Sequence, residues 1–416
     1  MTHSVKSITV IGIGDDGCSG LSSKAHGAVT RAQVLVGGRR HLEFFPQFDG
    51  ELICYQDGWK TAMDRLVELS GENNIAVLAS GDPLFFGVGQ LLVKKVGAEY
   101  LEFIPQPTSI QWAFARIGER WDDAGVVSVH GRSMGGFVSR LRYQDKVAVF
   151  TDEEHSPARI AARMLEYSEN HWDAVVCENI GGYDERIRSF SLDELAAAQD
   201  ISSLNVLILK RQPNEPVKPM IGFLPEEEFA KRVPKKGLIT KREVRLLSLG
   251  FMRIKSDSVI WDLGAGSGSV AIEAGRLAYN GKVFAVEVDP EGVGICEENV
   301  RRHGCDHVDV IAGRAPEVFP ELDDPDCVFI GGSKGSLREM ISQSWQRLSL
   351  GGSLVVNAVT LENVIEAKEG FKEVGVVPEL VQVQVSRGKP LAGKYTKYEA
   401  LNPIHIFAAT KEVAEK

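Results

Sequence analysis

The chain has 416 residues, more than the roughly 250–300 at which a single hydrophobic core stops growing, so at least two domains are expected. A hydrophobic fraction of 44% and a charged fraction of 25% are those of an ordinary folded protein and exclude a disordered chain. The formal charge of -10 provides no basic field for neutralising phosphates, so nucleic acid is a poor first partner, although a local basic cleft could sit in an acidic protein.

Met1 to Ser7 is short and polar and leads directly into Ile8-Thr9-Val10-Ile11, which is unlike a secretory signal. No apolar run reaches the ~18 residues of a spanning helix, so no membrane partner is expected and the compartment reads as cytoplasmic. Cys18, Cys54, Cys177, Cys296, Cys305 and Cys327 are scattered, without the close pairs of a zinc site or a redox dithiol. We read them as reduced and buried, and expect no metal.

From Ile8 to about Lys210 short β-branched runs alternate with helical patterns. Ile75–Ala79, Val126–Val129, Val147–Phe150, Ala174–Cys177 and Val206–Leu209 read as strands of a parallel or mixed α/β sheet. Residues 211–236 then hold Pro213, Pro216, Pro219, Pro225 and Pro234 among charges, the composition of a linker. The chain therefore divides into 1–210, a linker over 211–236, and 237–416. A helix over Thr240–Leu249 follows, with Thr240 as N-cap and Glu243 at the capping-box position. Strands at Ser258–Trp261, Lys282–Glu287, Val308–Ile311, Cys327–Ile330 and Ser353–Val356, with helices such as Glu291–His303 and Ser336–Leu348 between them, give a doubly wound α/β pattern. Such folds place ligands at the carboxyl ends of the strands.

The first strand ends in Gly12-Ile13-Gly14-Asp15-Asp16-Gly17, weak evidence for any nucleotide-like ligand. Val77-Leu78-Ala79-Ser80-Gly81-Asp82-Pro83 is more specific, because Gly81 permits close approach while Pro83 fixes the backbone. A plain turn would use the same residues. Pro107-Thr108-Ser109, Ser128-Val129-His130-Gly131-Arg132 and Cys177-Glu178-Asn179-Ile180-Gly181-Gly182 also sit at strand ends. His130 and Arg132 suit substrate carboxylates, since arginine offers a bidentate fork and histidine can carry a proton; a loop histidine beside a surface arginine is the bland alternative.

The strongest local signal is Val259-Ile260-Trp261-Asp262-Leu263-Gly264-Ala265-Gly266-Ser267-Gly268-Ser269, a strand feeding a glycine turn that opens a helix. A dinucleotide fingerprint would place its third glycine at Ser269, so NAD is disfavoured and the spacing is that of methyltransferases. The next strand ends in Glu287-Val288-Asp289, and Glu287 is the choice to accept hydrogen bonds from ribose hydroxyls, with Asp289 as fallback. After Ile330 the loop Gly331-Gly332-Ser333-Lys334-Gly335 replaces the Asn/Asp-Pro-Pro-aromatic loop of base-methylating enzymes. Lys334 is a candidate substrate ligand, with a solvated lysine at a helix start as the alternative.

With these loops in order, the first ~210 residues resemble the tetrapyrrole methylase family. The segment from about Lys236 onward, with Gly313-Arg314-Ala315-Pro316-Glu317 and Asn357-Ala358-Val359-Thr360, is similar to decarboxylating carbon-15 methyltransferases. Together they resemble the bifunctional C5,15-methyltransferase (decarboxylating) family of cobalamin synthesis. The resemblance implies a tetrapyrrole methylase fold with two α/β subdomains joined to a Rossmann-like class I methyltransferase fold. It implies methylation of C5 and C15 of precorrin-6B, loss of carbon dioxide from the C12 acetate arm, and precorrin-8X as product. S-Adenosyl-L-methionine would be the cofactor, held in the first site by Gly12, Gly14, Gly81, Asp82, Pro83, Thr108 and Ser109. In the second it would be held by Thr240, Gly264, Ala265, Gly266, Ser267, Gly268, Glu287, Gly313 and Ala315.

Many family members carry Pro-Gly-Asp where this chain has Asp15-Asp16-Gly17, which leaves those three roles open. The substrate's many carboxylates would meet His130, Arg132, Lys334 and Arg387, and a homo-oligomer is expected. Methyl transfer to a nucleophilic ring carbon needs alignment more than a strong base, so no catalytic acid or base is assigned. The competing readings are an RNA or protein methyltransferase, which lacks the expected basic stripe, and a cofactor-sensing scaffold with degenerate sites.

Overall fold

The computed structural model describes residues 8–213, 223–231 and 239–412. The chain divides into two compact units, one of residues 1–132, 145–161 and 172–212, the other of residues 133–144, 162–171 and 213–416. Of the expected linker, Pro216, Pro219 and Pro234 lie outside the described residues, whereas residues 223–231 are packed into the second unit, with Glu226 and Phe229 buried.

The first unit holds two sheets. One comprises β1 (Ile8–Ile13), β2 (Val34–Gly37), β3 (Glu51–Cys54), β4 (Ile75–Ser80) and β5 (Leu101–Ile104), all parallel, in the order β3-β2-β4-β1-β5. A parallel sheet is covered on both faces, so its central strands are apolar throughout. Val10, Val36 and Val77 pack on one face and Ile11, Leu35 and Leu78 on the other.

The second sheet comprises β6 (Gly125–Ser128), β7 (Lys146–Phe150), β8 (Trp172–Glu178), β9 (Arg186–Ser191) and β10 (Asn205–Arg211), in the order β6-β7-β10-β8-β9. Only β6 and β7 pair in parallel; the other pairs are antiparallel.

In the second unit β11 (Val259–Leu263), β12 (Lys282–Glu287), β13 (Val308–Ala312), β14 (Cys327–Ile330), β15 (Ser353–Ala358), β16 (Glu379–Val383) and β19 (Ile404–Thr410) form one sheet, ordered β13-β12-β11-β14-β15-β19-β16. Its first five strands are parallel and β19 runs antiparallel between β15 and β16. β17 (Ser386–Leu391) and β18 (Tyr395–Ala400) make a separate hairpin. Strand order reverses between β11 and β14, which is where a doubly wound sheet opens a crevice for ligand.

The expected helix over Thr240–Leu249 is found at Arg242–Phe251, but its capping box is not formed. Lys241 is the N-cap residue and makes no side-chain cap; the Arg242 amide donates instead to the Glu226 carboxylate at 2.8 Å. No helix among the described residues is long and apolar enough to cross a membrane. All six cysteines are unpaired, with Cys177, Cys296, Cys305 and Cys327 buried and Cys18 and Cys54 partly exposed.

Candidate active sites

In the first unit, three of the sequence motifs meet at the carboxyl ends of β1, β4 and β5. A Cβ on Gly12 would fall 1.9 Å from the Gly81 carbonyl oxygen and 2.6 Å from the Gln106 nitrogen, so only glycine lets these loops close on one another. Gly81 has φ +60, a region unfavourable for other residues, and its amide donates to the Ile13 carbonyl at 3.0 Å. Asp82 Oδ1 accepts from the Leu84 amide at 2.9 Å, shaping the turn around Pro83. Thr108 caps the helix Ser109–Ile117 in a full capping box with Gln111.

The residues left open by sequence also find places. Asp15 Oδ1 accepts from Arg40 Nη1 at 2.8 Å, and a Cβ on Gly182 would lie 2.4 Å from Asp15 Oδ2, so the loops after β1 and β8 touch there. The Asp16 carboxylate rests over Gly14 and Gly20, while Gly17 packs against the Phe44 ring. His41, unsuspected from sequence, has Nε2 within 3.2 Å of Ser80 Oγ and 3.3 Å of Arg40 Nη2. Burial, reinforced by the Arg40 charge, pushes its pKa down to about 4 and keeps it neutral.

His130 and Arg132 follow the end of β6, and both are exposed. His130 Nδ1 lies 2.9 Å from the Thr151 carbonyl oxygen; a carbonyl only accepts, so Nδ1 is the donor of this bond. The Gly131 amide donates to Asp152 Oδ2 at 2.6 Å. Burial opposes the Asp152 charge, but hydrogen bonds from the Gly131 and His155 amides and the His155 ring outweigh it and hold the carboxyl down at about 2. Glu178, at the end of β8, is fully buried and accepts from Arg186, Arg188 and the Ser202 amide, a structural role.

In the second unit β11 runs into a turn in which Gly264, Gly266 and Gly268 have φ of +75, +57 and +74. The amides of Gly264 and Ala265 both donate to the Val286 carbonyl at 3.0 Å, tying the turn to β12. A Cβ on Gly264 would meet the Gly332 backbone, whereas one on Gly266 would meet nothing within 4 Å, so Gly266 faces open space. Glu287 Oε2 accepts from the Gly266 amide and Oε1 from the Asp289 amide, each at 2.9 Å. Asp289 caps the helix Pro290–Arg302, which accounts for the second acid of that motif.

Gly264, Glu287, Gly313, Arg314, Ala315 and Lys334 line one cavity. Ala265, Gly266, Ser267 and Gly268 are not part of its lining; the Ser267 carbonyl accepts from Asn299, and Gly268 opens the helix Ser269–Leu277. Arg314, whose side chain sequence reasoning passed over, reaches the Lys334 carbonyl with Nη2 at 3.3 Å. Thr240 is not brought to the cavity lining, and its carbonyl accepts from Arg245.

Arg387 requires a correction. Its donors are committed to the carboxylates of Glu226 and Glu243, which makes it a structural cation rather than a substrate ligand. Below the glycine turn, Asp262 is buried, with Oδ2 accepting from the Ala271 amide at 2.8 Å and Oδ1 without a partner among the described residues. Burial raises its pKa to about 7, against the Ala271 bond and with a smaller contribution from the Glu287 charge.

An open glycine turn beside an acid at the end of the adjacent strand fits a nucleoside-bearing cofactor, because the turn admits its chain and the acid can bind vicinal hydroxyls. Residues 7–196 match the tetrapyrrole (corrin/porphyrin) methylases, and residues 232–411 match the precorrin methyltransferase domain. A precorrin-6Y C(5,15)-methyltransferase (decarboxylating) from Sinorhizobium sp. is 31% identical over 413 residues, 97% of this chain and 96% of that one. A probable cobalt-precorrin-6B C(15)-methyltransferase (decarboxylating) from Sulfolobus acidocaldarius is 35% identical over 193 residues, 45% of this chain and 97% of its own. The crystal structure of precorrin-6y C5,15-methyltransferase from Geobacter metallireducens is 41% identical, covering 47% of this chain and 100% of that one with a TM-score of 0.44. Similarity along essentially the whole length places this chain in the precorrin-6Y C(5,15)-methyltransferase (decarboxylating) family, the methyltransferases of cobalamin biosynthesis.

Proposed function

We propose that this chain methylates C5 and C15 of precorrin-6B and decarboxylates its C12 acetate arm, giving precorrin-8X, with S-adenosylmethionine bound at two unlike sites. The observation that carries this reading is the pair of separate glycine turns, around Gly81 and Gly266, each at the carboxyl ends of parallel strands in its own unit. Residues 1–210 are assigned to C5 methylation, 211–236 to the link, and 237–416 to C15 methylation and decarboxylation.

When bound, the cofactor supplies an electrophilic methyl on a sulfonium. In the first site Gly12, Gly14, Gly81, Asp82, Pro83, Thr108 and Ser109 hold it through backbone and capping groups. In the second the Gly264–Gly268 turn, Glu287, Gly313 and Ala315 would hold it, with the Glu287 carboxylate able to accept from its hydroxyls. A tetrapyrrole ring carbon is already nucleophilic, so the protein's task is alignment, which can lower a barrier by ~7–11 kcal/mol.

Loss of carbon dioxide leaves an electron pair on the acetate arm, and the substrate's own conjugated ring nitrogens can take it up before the arm is protonated. Lys334 and Arg314 bring positive charge to the second cavity, and Arg132 brings it to the first site, on the loop that also carries His130, for the substrate's remaining carboxylates. The compartment we infer is the cytoplasm, in keeping with the family of biosynthetic methyltransferases.

Incubating the full chain with precorrin-6B and methyl-labelled cofactor, then weighing the product, tests the reading. Two labelled methyl groups gained and one carbon dioxide lost is the expected change. An unaltered tetrapyrrole under conditions where the cofactor binds would overturn it.

A further inference from the structure

Phe86, on the loop that follows Gly81-Asp82-Pro83, has φ +54, a left-handed backbone that a bulky side chain seldom adopts. Nor does burial explain the strain, because the residue is 49% exposed. Its neighbour Phe85 turns toward the core instead and packs edge-on to Phe150 at 6.1 Å. The Phe86 ring is nevertheless fixed in orientation, with centroids 5.0 Å from Phe85 at 90° and 5.6 Å from Phe150 at 55°. A strained, half-exposed and yet oriented aromatic serves something other than packing.

That ring lies under Arg132, whose guanidinium carbon is 5.5 Å from its centroid. Other arginines of this unit are spent on carboxylates: Arg116 on Glu185, and Arg186 and Arg188 on Glu178. Among the described residues no carboxylate takes Arg132, which leaves the cation stacked on one face and its fork of donors open. The pair also joins the loop after β4 to the loop after β6, beside His130.

The geometry points to Phe86 as a positioning residue for substrate: it holds the Arg132 guanidinium as a pre-oriented cation that takes a peripheral carboxylate of the tetrapyrrole at the first methylation site. This rests on the proposed C5 methylation and adds the residue that sets its anion recognition. The aromatic face removes rotamer freedom from Arg132 without neutralising it, which a carboxylate partner would do. With its left-handed backbone, Phe86 sets its ring against Phe85 and Phe150 and within reach of Arg132.

The test uses the full chain and follows C5 and C15 methylation separately. Phe86→Gly removes the ring and suits the backbone angle, Phe86→Leu keeps apolar bulk without a π face, and Phe86→Tyr keeps the ring. The expected result for Phe86→Gly and Phe86→Leu is a KM for the tetrapyrrole in C5 methylation raised about tenfold and less sensitive to salt, with kcat and C15 methylation near wild type. Phe86→Tyr restores the wild-type KM, and Phe86→Gly adds nothing to Arg132→Ala in the double variant. Wild-type KM and salt dependence in both Phe86→Gly and Phe86→Leu, or additive losses in the double variant, would overturn the inference. A wild-type chain that binds the cofactor but leaves C5 unmethylated would instead remove the functional reading beneath it.

Discussion

Arg387 Nη1 and Nη2 each lie 2.8 Å from one carboxylate oxygen of the buried Glu226, a two-bond fork that clips the β17–β18 hairpin to the turn at Glu226–Glu228. The same guanidinium also reaches Glu243 in the first turn of the helix Arg242–Phe251. Arg387→Ala therefore strands the buried Glu226 charge and is expected to lower stability by ~2 kcal/mol, seen as a fall in Tm. The KM for the tetrapyrrole should hold, whereas a substrate ligand would show the reverse pattern.

The same fork makes stability sensitive to acid. Hydrogen bonds from Arg387 are the largest of the effects that hold Glu226 down at about 2, against its burial. A carboxyl with a depressed folded pKa contributes stability that is complete above the ordinary carboxylate range, ~4.3, and is lost as pH falls toward 2. Urea unfolding of wild type should weaken across that window. In Arg387→Ala the slope of stability against pH there should be shallower.

Asp262 gives a pH dependence of opposite sign. Its folded pKa, raised by burial to about 7, exceeds that of the unfolded chain near ~3.9. Between these values the unfolded state sheds a proton that the folded state keeps, so stability declines from pH 4 to pH 7 and then levels. Asp262→Asn keeps the acceptor for the Ala271 amide and removes the titration. Relative to wild type, its Tm should gain as pH rises from 4.5 to 8.

Arg245 and Glu273 form a two-bond ion pair at 3.0 and 2.9 Å with 0% and 2% side-chain exposure. Glu273 also accepts from the Leu224 amide, and Arg245 donates to the Leu224 and Thr240 carbonyls, so the pair clamps the chain entering the second unit. Arg245→Met should cost ~3–5 kcal/mol by leaving a buried carboxylate alone, and the paired Arg245→Met, Glu273→Leu variant should recover part of that loss. Denaturant titration of both variants measures the difference.

What was legible in the sequence was local. Lys282–Glu287 and Cys327–Ile330 are strands with the bounds their apolar runs suggest, and the glycine turn with Glu287 forms because strand, glycines and acid lie close along the chain. β9, with Arg-Ile-Arg-Ser-Phe-Ser, gave no buried run because it is a sheet edge held by Glu178. The Thr240 cap failed because Glu226, 16 residues before Arg242, takes that amide, a contact that no local pattern encodes. Arg387 was misread for the same reason, since its partners lie 161 and 144 residues away. Arg314 stood within a motif quoted for its glycine and alanine, and only the fold shows it lining the cavity.

The two methyl-donor sites proposed for this chain are best counted directly, by calorimetric titration of the full protein with S-adenosylhomocysteine. Two equivalents should bind to wild type, one should remain in Glu287→Ala, and the other should be lost when Gly81→Val closes the first turn. A single equivalent in wild type, or two in both variants, would contradict the account.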